Sequence, residues 1–471
     1  MQAALRYEQV ADRLREQIRV GTLGPGERVP SVRRMSRQSG VSVATVVQAY
    51  EQLEAQGVLE ARPQSGFYVR PPQRATVTRL RPVLPKPKPI ANNLLDQVFE
   101  IYSRPHILPL HMAAPDPALL PVSRLSALTR EVLKSQAYQR AGYMHPAGLA
   151  ELRRQVARRL LLAGTAVEPE DVVITAGALE ALSLSLSVLT RPGDAVLVET
   201  PTYYGLLQAL KARGLRVVEV PSVPPAGIDV ACAQRVLREH PVKAAVLTPN
   251  YNNPNGALWP EAARSALLAA CAQAGVPIIE DDVYAELGFA GPRPGTLYAR
   301  EAQADVVLCG SISKTISPGL RIGWAVSPRW RDALVRAKAF HSCGAPALNQ
   351  FVAAAFLDSV ARERSLRRLR DAIAANVHRS TAAILRYFPS GTQVAAPQGG
   401  LALWVELPAS GARDGRALFE AGVAHGIGSL PGTLFSASCR WRHHVRLSCG
   451  IPWSPVVEAA LQRLGQLATA C

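Results

Sequence analysis

Cys309-Gly310-Ser311-Ile312-Ser313-Lys314-Thr315-Ile316-Ser317-Pro318-Gly319-Leu320-Arg321-Ile322-Gly323-Trp324 follows the apolar run Val306-Val307-Leu308, which reads as a buried strand. The strand delivers a single lysine among small hydroxyl residues, and an arginine follows seven residues later. Lysine attacks a carbonyl only as the free amine, so a nucleophilic lysine needs surroundings that lower its pKa. Hydroxyls at Ser311 and Ser313, with the fork of Arg321, make a cradle for phosphate. An amine nucleophile beside a phosphate site suggests pyridoxal 5'-phosphate (PLP). A turn that merely displays a surface lysine is the alternative, and the rest of the chain decides between them.

Outward from this stretch, strand-like runs at 171–175, 195–199, 216–220, 244–247, 276–280 and 305–310 alternate with helical patterns. That alternation predicts an α/β domain with a mostly parallel sheet, in which ligands collect at the carboxyl ends of the strands. The chemically interesting residues fall there. Thr175-Ala176-Gly177-Ala178-Leu179-Glu180 opens a helix whose first amides suit an anion. Tyr203 and Tyr204 end the next strand, where one ring can stack on a flat cofactor or pack into the core. A polar turn, Thr248 to Gly256, is denser in asparagine than a turn requires. Ile278-Ile279-Glu280-Asp281-Asp282-Val283-Tyr284 leaves carboxylates at the end of an apolar strand. Buried carboxylates are costly unless paired, and a protonated pyridine nitrogen is such a partner. An ionised aspartate there keeps the ring an electron sink. Arg446, in His444-Val445-Arg446-Leu447-Ser448, suits a substrate carboxylate.

The 471 residues carry a formal charge of +17. Residues 1–90 hold 15 Lys/Arg against 7 Asp/Glu, and the remaining 381 hold 38 against 29. A basic first fifth suggests a polyanionic partner. The seven cysteines are scattered, without a C-x-x-C pair, which argues against a disulfide framework or a zinc site and for a reducing cytoplasm. No run approaches the roughly 20 apolar residues that span a bilayer, and the start is no signal peptide. No metal site and no membrane association are expected.

Residues 1–70 read as helix, helix, short turn, helix and hairpin. The first helix covers 7–20, Ser31 caps the second, and Ser42 caps the third through about residue 56. Strand pieces at 58–62 and 67–69 flank a turn at 63–66. This is a winged helix-turn-helix, whose third helix enters the major groove of double-stranded DNA while the wing touches the backbone. Residues 71–92, with six prolines, five basic residues and no acid, form an extended linker. Residues 93–471 form the large domain, with a smaller C-terminal subdomain from about residue 340.

"GTLGPGERVPSVRRMS", "VSVATVVQAYEQLEAQGVL" and "SGFYV" resemble the DNA-binding domain of GntR-type bacterial regulators. The resemblance implies that Arg33 and Arg34 hold phosphate or base, that Ser42, Thr45 and Gln48 lie at the groove, and that Gly66 sits at the wing tip. Val43 stands where that family usually has arginine. Residues 108–465 are similar to fold-type-I PLP enzymes, specifically class I/II aminotransferases. By that resemblance Lys314 forms the internal aldimine and Asp281 pairs with the pyridine nitrogen. Asn253 and Tyr284 hydrogen-bond the phenolic oxygen, and Tyr203 stacks on the ring. Ser311, Ser313, Arg321 and the Gly177, Ala178 and Leu179 amides hold phosphate. Tyr143 reaches the phosphate of a partner subunit, and Arg446 binds the α-carboxylate. Ala178 and Leu179 depart from the usual serine and glutamine, removing side-chain donors, and Ala114 replaces a frequent glycine. The fusion resembles the MocR subfamily of GntR regulators. It implies a cytoplasmic homodimeric transcription factor whose PLP domain senses a small amino compound or PLP itself through Lys314. An active aminotransferase with an accessory DNA-binding domain is the alternative.

Overall fold

The computed structural model describes residues 6–19, 22–24, 26–55, 58–62, 65–69, 94–300, 304–395, 397–409 and 414–469, in two compact units. The expected linker, and Pro63 and Gln64 of the expected wing turn, lie outside the described residues.

In the first unit α1 (Arg6–Arg19), α2 (Val32–Ser39) and α3 (Val43–Ala55) precede a hairpin of β1 (Leu59–Arg62) and β2 (Gly66–Val69). Ser31 accepts from the Arg34 amide and starts α2, and Gly40 ends it at φ 65, a left-handed value that costs glycine little. Ser42 accepts from the Thr45 amide at 3.2 Å and starts α3. Val10, Leu14, Met35, Val46, Tyr50, Leu53 and Leu59 form the core. The Tyr50 hydroxyl donates to the Pro30 carbonyl at 2.8 Å, and its ring meets Phe67 edge-on at 5.2 Å. These contacts fix both the turn and the wing against α3.

The second unit is built on an eight-stranded sheet in the order β3-β10-β9-β8-β7-β4-β5-β6. Its strands are β3 (Val172–Thr175), β4 (Ala195–Thr200), β5 (Arg216–Val223), β6 (Gly227–Ile228), β7 (Val242–Leu247), β8 (Ile278–Asp281), β9 (Val306–Ser311) and β10 (Gly323–Val326). The run from β9 through β8, β7, β4 and β5 is parallel, as the alternating pattern predicts. Burial on both faces explains why these strands are continuous apolar runs. β10, which the sequence reading missed, is antiparallel to both β3 and β9. Its first residue, Gly323, pairs with Thr175 and with Ser311. One short strand therefore brings the ends of β3 and β9 to the place where Arg321 enters.

The sequence boundary near residue 340 falls inside the helix Arg331–Ser342. The next helix, Ala347–Asp358, still sends Val352 and Phe356 into the core of the large sheet. A second core gathers around β11 (Gln393–Val394), β12 (Ala402–Glu406), β13 (Leu430–Pro431) and β14 (His444–Ser448), an antiparallel sheet backed by the helices Ala361–Tyr387 and Pro455–Ala468. The smaller subdomain thus begins with the long helix, about twenty residues later than expected, because helix 347–358 is apolar toward the large sheet.

Candidate cofactor and effector site

The ends of β3, β4, β7, β8 and β9 point the same way, so their following residues share one rim. Lys314 comes three residues after β9, and its amine donates to the Ala113 carbonyl at 2.6 Å. Burial, together with the charge of Arg446, lowers the Lys314 amine to about 8, against the opposing pull of Asp281. A lysine so poised is substantially the free amine slightly above neutrality. Loading of PLP onto the apoprotein is accordingly expected to accelerate with pH across about 7 to 9, since the ammonium form cannot attack. Stopped-flow absorbance between pH 6.5 and 9.5 tests this, and a midpoint near the ordinary lysine value would contradict it.

Asp281 ends β8 and is buried, with Oδ1 lacking any hydrogen-bond partner among the described residues. Burial first, then the neighbouring Asp282, pushes its carboxyl up to about 7. An orphaned buried carboxylate oxygen is what a protonated ring nitrogen would satisfy. Asp282 is not equivalent: it takes the Arg293 guanidinium and the Asn250 amide at 2.8 Å, and so serves the fold. Asn253 and Tyr284 are both buried, and Asn253 Oδ1 has no hydrogen-bond partner among the described residues. The Lys314 amine lies 5.9 Å from the Tyr284 ring centroid. The ring of Tyr203 lies over Gly205, where a Cβ would come within 2.4 Å of it. Tyr204 is the packing member of the pair. It is buried, and its hydroxyl meets that of Tyr102 at 2.9 Å.

The phosphate cradle assembles from three chain segments. Ser311 and Ser313 hydroxyls lie 2.8 Å apart, with Ser311 donating to the Ile322 carbonyl. Arg321 takes the left-handed φ of 49, and its Nη2 donates to the Ala176 carbonyl at 2.9 Å. Gly177 (φ 94) begins the helix Ala178–Leu189 without a side-chain cap. A Cβ at Gly177 would meet the Arg321 guanidinium at 2.3 Å, and one at Gly323 would meet the Gly177 carbonyl carbon at 2.5 Å. Glycine at both places therefore leaves the guanidinium beside free helix amides, an anion site of backbone and arginine. Ala178 is half-buried and Leu179 is exposed, and neither offers a side-chain donor.

Arg446 lies on β14, on the face opposite the core residues Val445 and Leu447. It is 1% exposed, bonds the His111 carbonyl through Nη2, and leaves Nε and Nη1 without partners among the described residues. These are groups a carboxylate would satisfy. Tyr143 stands apart from this cluster and is fully exposed.

Sequence reasoning missed His111, which is buried beside Arg446 with both ring nitrogens unpartnered among the described residues. Burial, then Arg446, lowers its imidazole to about 4, so it is neutral. Only its position in the run before Ala113 hinted at a site. In the first unit Arg33, Arg34, Ser42 and Gln48 are exposed, Thr45 is half-buried, and Gly66 is exposed at φ 103. Arg28, also missed, lays its guanidinium beside Gly66. Its signal was only the charged pair in the "GERVP" turn.

Comparison with known proteins matches residues 116–464 to the aminotransferase class I and II family and residues 6–69 to the gntR family of bacterial regulatory proteins. The uncharacterized HTH-type transcriptional regulator YjiR of Escherichia coli (strain K12) is 37% identical over 470 residues, covering 98% of each chain. This chain belongs to the MocR subfamily of GntR regulators. The pyridoxine biosynthesis regulator PdxR of Corynebacterium glutamicum is 31% identical over 365 residues, covering 77% of this chain and 75% of its own. The structure is also similar to that of LysN, an α-aminoadipate aminotransferase from Thermus thermophilus, complexed with N-(5'-phosphopyridoxyl)-L-leucine. Identity is 30% and the TM-score 0.73, over 80% of this chain and 95% of that one. PLP is the cofactor of this MocR domain. The unpartnered Asp281 oxygen and the Gly177–Arg321 cradle fit it.

Proposed function

We propose that this PLP-dependent transcriptional regulator senses an amino compound, or PLP itself, by exchange at the Lys314 amine. The observation that carries the reading is the set of unsatisfied buried groups around that amine: Asp281 Oδ1 for the cofactor, and Arg446 Nε and Nη1 for an effector carboxylate. PLP supplies an aldehyde that exchanges one amine for another and a ring that withdraws electrons. With an amine effector held at the cofactor, the Lys314 amine would be free to bond the Ala113 carbonyl, and Arg446 would gain a charged partner. The two ligation states thus favour different closures of the subdomains, and only such differential affinity can couple effector to DNA. The test is absorbance of the purified holoprotein titrated with a panel of amino acids and amines, in parallel with operator binding. An effector-shifted spectrum with unchanged operator affinity would defeat the proposal.

The DNA-binding reading rests on the exposed arginines of α2 and the capped α3. Replacing Arg33 and Arg34 together by alanine is expected to weaken operator binding about five- to hundredfold, at roughly 1–3 kcal/mol in all. The slope of log affinity against log salt should shrink by about one per lost phosphate contact. Fluorescence anisotropy at several salt concentrations reads both. Wild-type affinity and slope would remove these residues from the interface.

A homodimer in the cytoplasm is part of the same reading. It is supported by the fully exposed Tyr143 and by Phe340, which is 93% exposed. No helix among the described residues is long and apolar enough to cross a membrane. A second reading, an active aminotransferase, is favoured by the complete Lys314, Asp281 and Arg446 set. Within it, the 2-aminoadipate transaminase of Thermus thermophilus, 32% identical over 381 residues, offers a substrate class to try. A sustained kcat of about 1 s⁻¹ or more would favour that reading.

A further inference from the structure

The cradle described above has lost side-chain donors at Ala178 and Leu179, so its affinity for phosphate depends on how firmly the turn Thr175–Glu180 holds its amides and Arg321. Directly behind that turn is the ion pair of Lys338 with Glu180, which stands outside the cofactor contacts. Lys338, 0% exposed on the helix Arg331–Ser342, donates to Glu180 Oε2 at 2.7 Å and to the Ser342 hydroxyl at 2.8 Å. Ser342 in turn donates to Glu180 Oε1 at 2.8 Å. Glu180 Oε2 also accepts from the Ala176 amide at 2.6 Å. The carbonyl of that same Ala176 receives Arg321 Nη2. One residue of backbone therefore separates the Lys338–Glu180 pair from the guanidinium that faces the phosphate position. Burial pushes the Glu180 carboxyl up, but the Ala176 amide, Lys338 and Ser342 outweigh it and hold it below the ordinary range.

We infer that Lys338 and Glu180 are positioning residues for the cofactor phosphate: a buried clamp that fixes the Ala176 peptide, and through it the Gly177–Leu179 amides and Arg321. Three features support this over a purely structural ion pair. Both oxygens of Glu180 are used, so its carboxylate is locked in one orientation. The pair is on the side of the turn opposite Arg321, so it holds the Ala176 residue by its N–H while Arg321 holds the C=O. Finally, Lys338 cancels a carboxylate charge that would otherwise repel the phosphate across a single turn of chain. The helix that carries Lys338 ends at Ser342, two residues before Gly344, where a Cβ would lie 3.4 Å from the Met144 carbonyl beside Tyr143.

The inference rests on the PLP reading of the site, and the test separates the two. Binding of PLP and of pyridoxal, the same aldehyde without phosphate, is measured by absorbance titration of the apoprotein. The wild type is expected to prefer PLP strongly. Single removal of either charge leaves the other buried and can unfold the protein, so the informative variant is the double substitution Lys338→Met with Glu180→Ala, its fold checked by circular dichroism. It should weaken PLP binding about ten- to hundredfold, the loss expected for misaligned charge-assisted bonds. Pyridoxal binding should change less than about threefold, so the ratio of the two dissociation constants collapses toward one. Ser342→Ala, which removes one arm, should show the same trend with a smaller change. An unchanged ratio in the double variant, whether both affinities hold or fall together, overturns the clamp. A wild type that does not prefer PLP over pyridoxal overturns the cradle assignment itself.

Discussion

Lys314→Ala protein is expected to lose the visible absorbance of the PLP-loaded wild type and every response of operator binding to amines, while its effector-free DNA affinity stays within about threefold, or roughly 0.6 kcal/mol. The lysine amine sits between the Ala113 carbonyl, the Tyr284 ring and the charges of Asp281 and Arg446. Removing it deletes the nucleophile and leaves Ser311, Ser313, Arg321 and Asp281 in place. The variant therefore still binds PLP through its phosphate and ring nitrogen, more weakly and reversibly. Residues of the DNA unit have their own core and caps, so their fold does not depend on the lysine. Spectra and operator binding measured on one preparation, with and without the amine that acts on the wild type, decide the matter. A variant that keeps a normal effector response would show that sensing bypasses Lys314, and the proposed exchange would be wrong.

The lysine, the aspartate and the late arginine were legible because each is an anomaly in its own local pattern. A lysine stands after a buried strand, acids end an apolar run, and an arginine interrupts β14. Strand positions were equally legible, because parallel strands buried on both faces are continuous apolar runs bounded by turns. What pairs with what was not. β10 is four residues long and follows its functional neighbour so closely that it reads as part of the same loop. The small subdomain was placed too early because helix 347–358 carries the same alanine-rich pattern whichever core it faces. Lys338 and Glu180 are 158 residues apart, and nothing in either local sequence names the other. His111 likewise reads as an ordinary polar residue until β14 places Arg446 against its carbonyl. Residues that act alone at a strand end announce themselves, whereas those that act through a long-range partner need the fold.

Asp281→Asn is expected to separate stability from cofactor affinity, with opposite signs. In the apoprotein the carboxyl is raised from 3.8 to about 7 by burial and by Asp282. Between those values the folded state holds the proton more tightly than the unfolded chain, so stability falls as pH rises through the window of about 4 to 7. The slope approaches 1.4 kcal/mol per unit for one fully shifted group. Asparagine does not titrate. The difference in unfolding free energy between variant and wild type should therefore move toward the variant by on the order of 2–3 kcal/mol between about pH 5 and 7.5. Glu199, pushed to about 7, and Glu280, pushed to about 8, remain in both proteins and largely cancel in that difference. With PLP the order reverses. The ionised aspartate then has a charged hydrogen-bond partner that asparagine cannot match, worth about 1.5–3 kcal/mol, so the variant should bind PLP about ten- to hundredfold more weakly. Thermal denaturation of both apoproteins at the two pH values, followed by PLP titration at pH 7.5, measures both halves. A stability difference that does not move with pH would mean that Asp281 is not the strained carboxylate of this rim. An unchanged PLP affinity would mean that its free oxygen does not face the ring nitrogen.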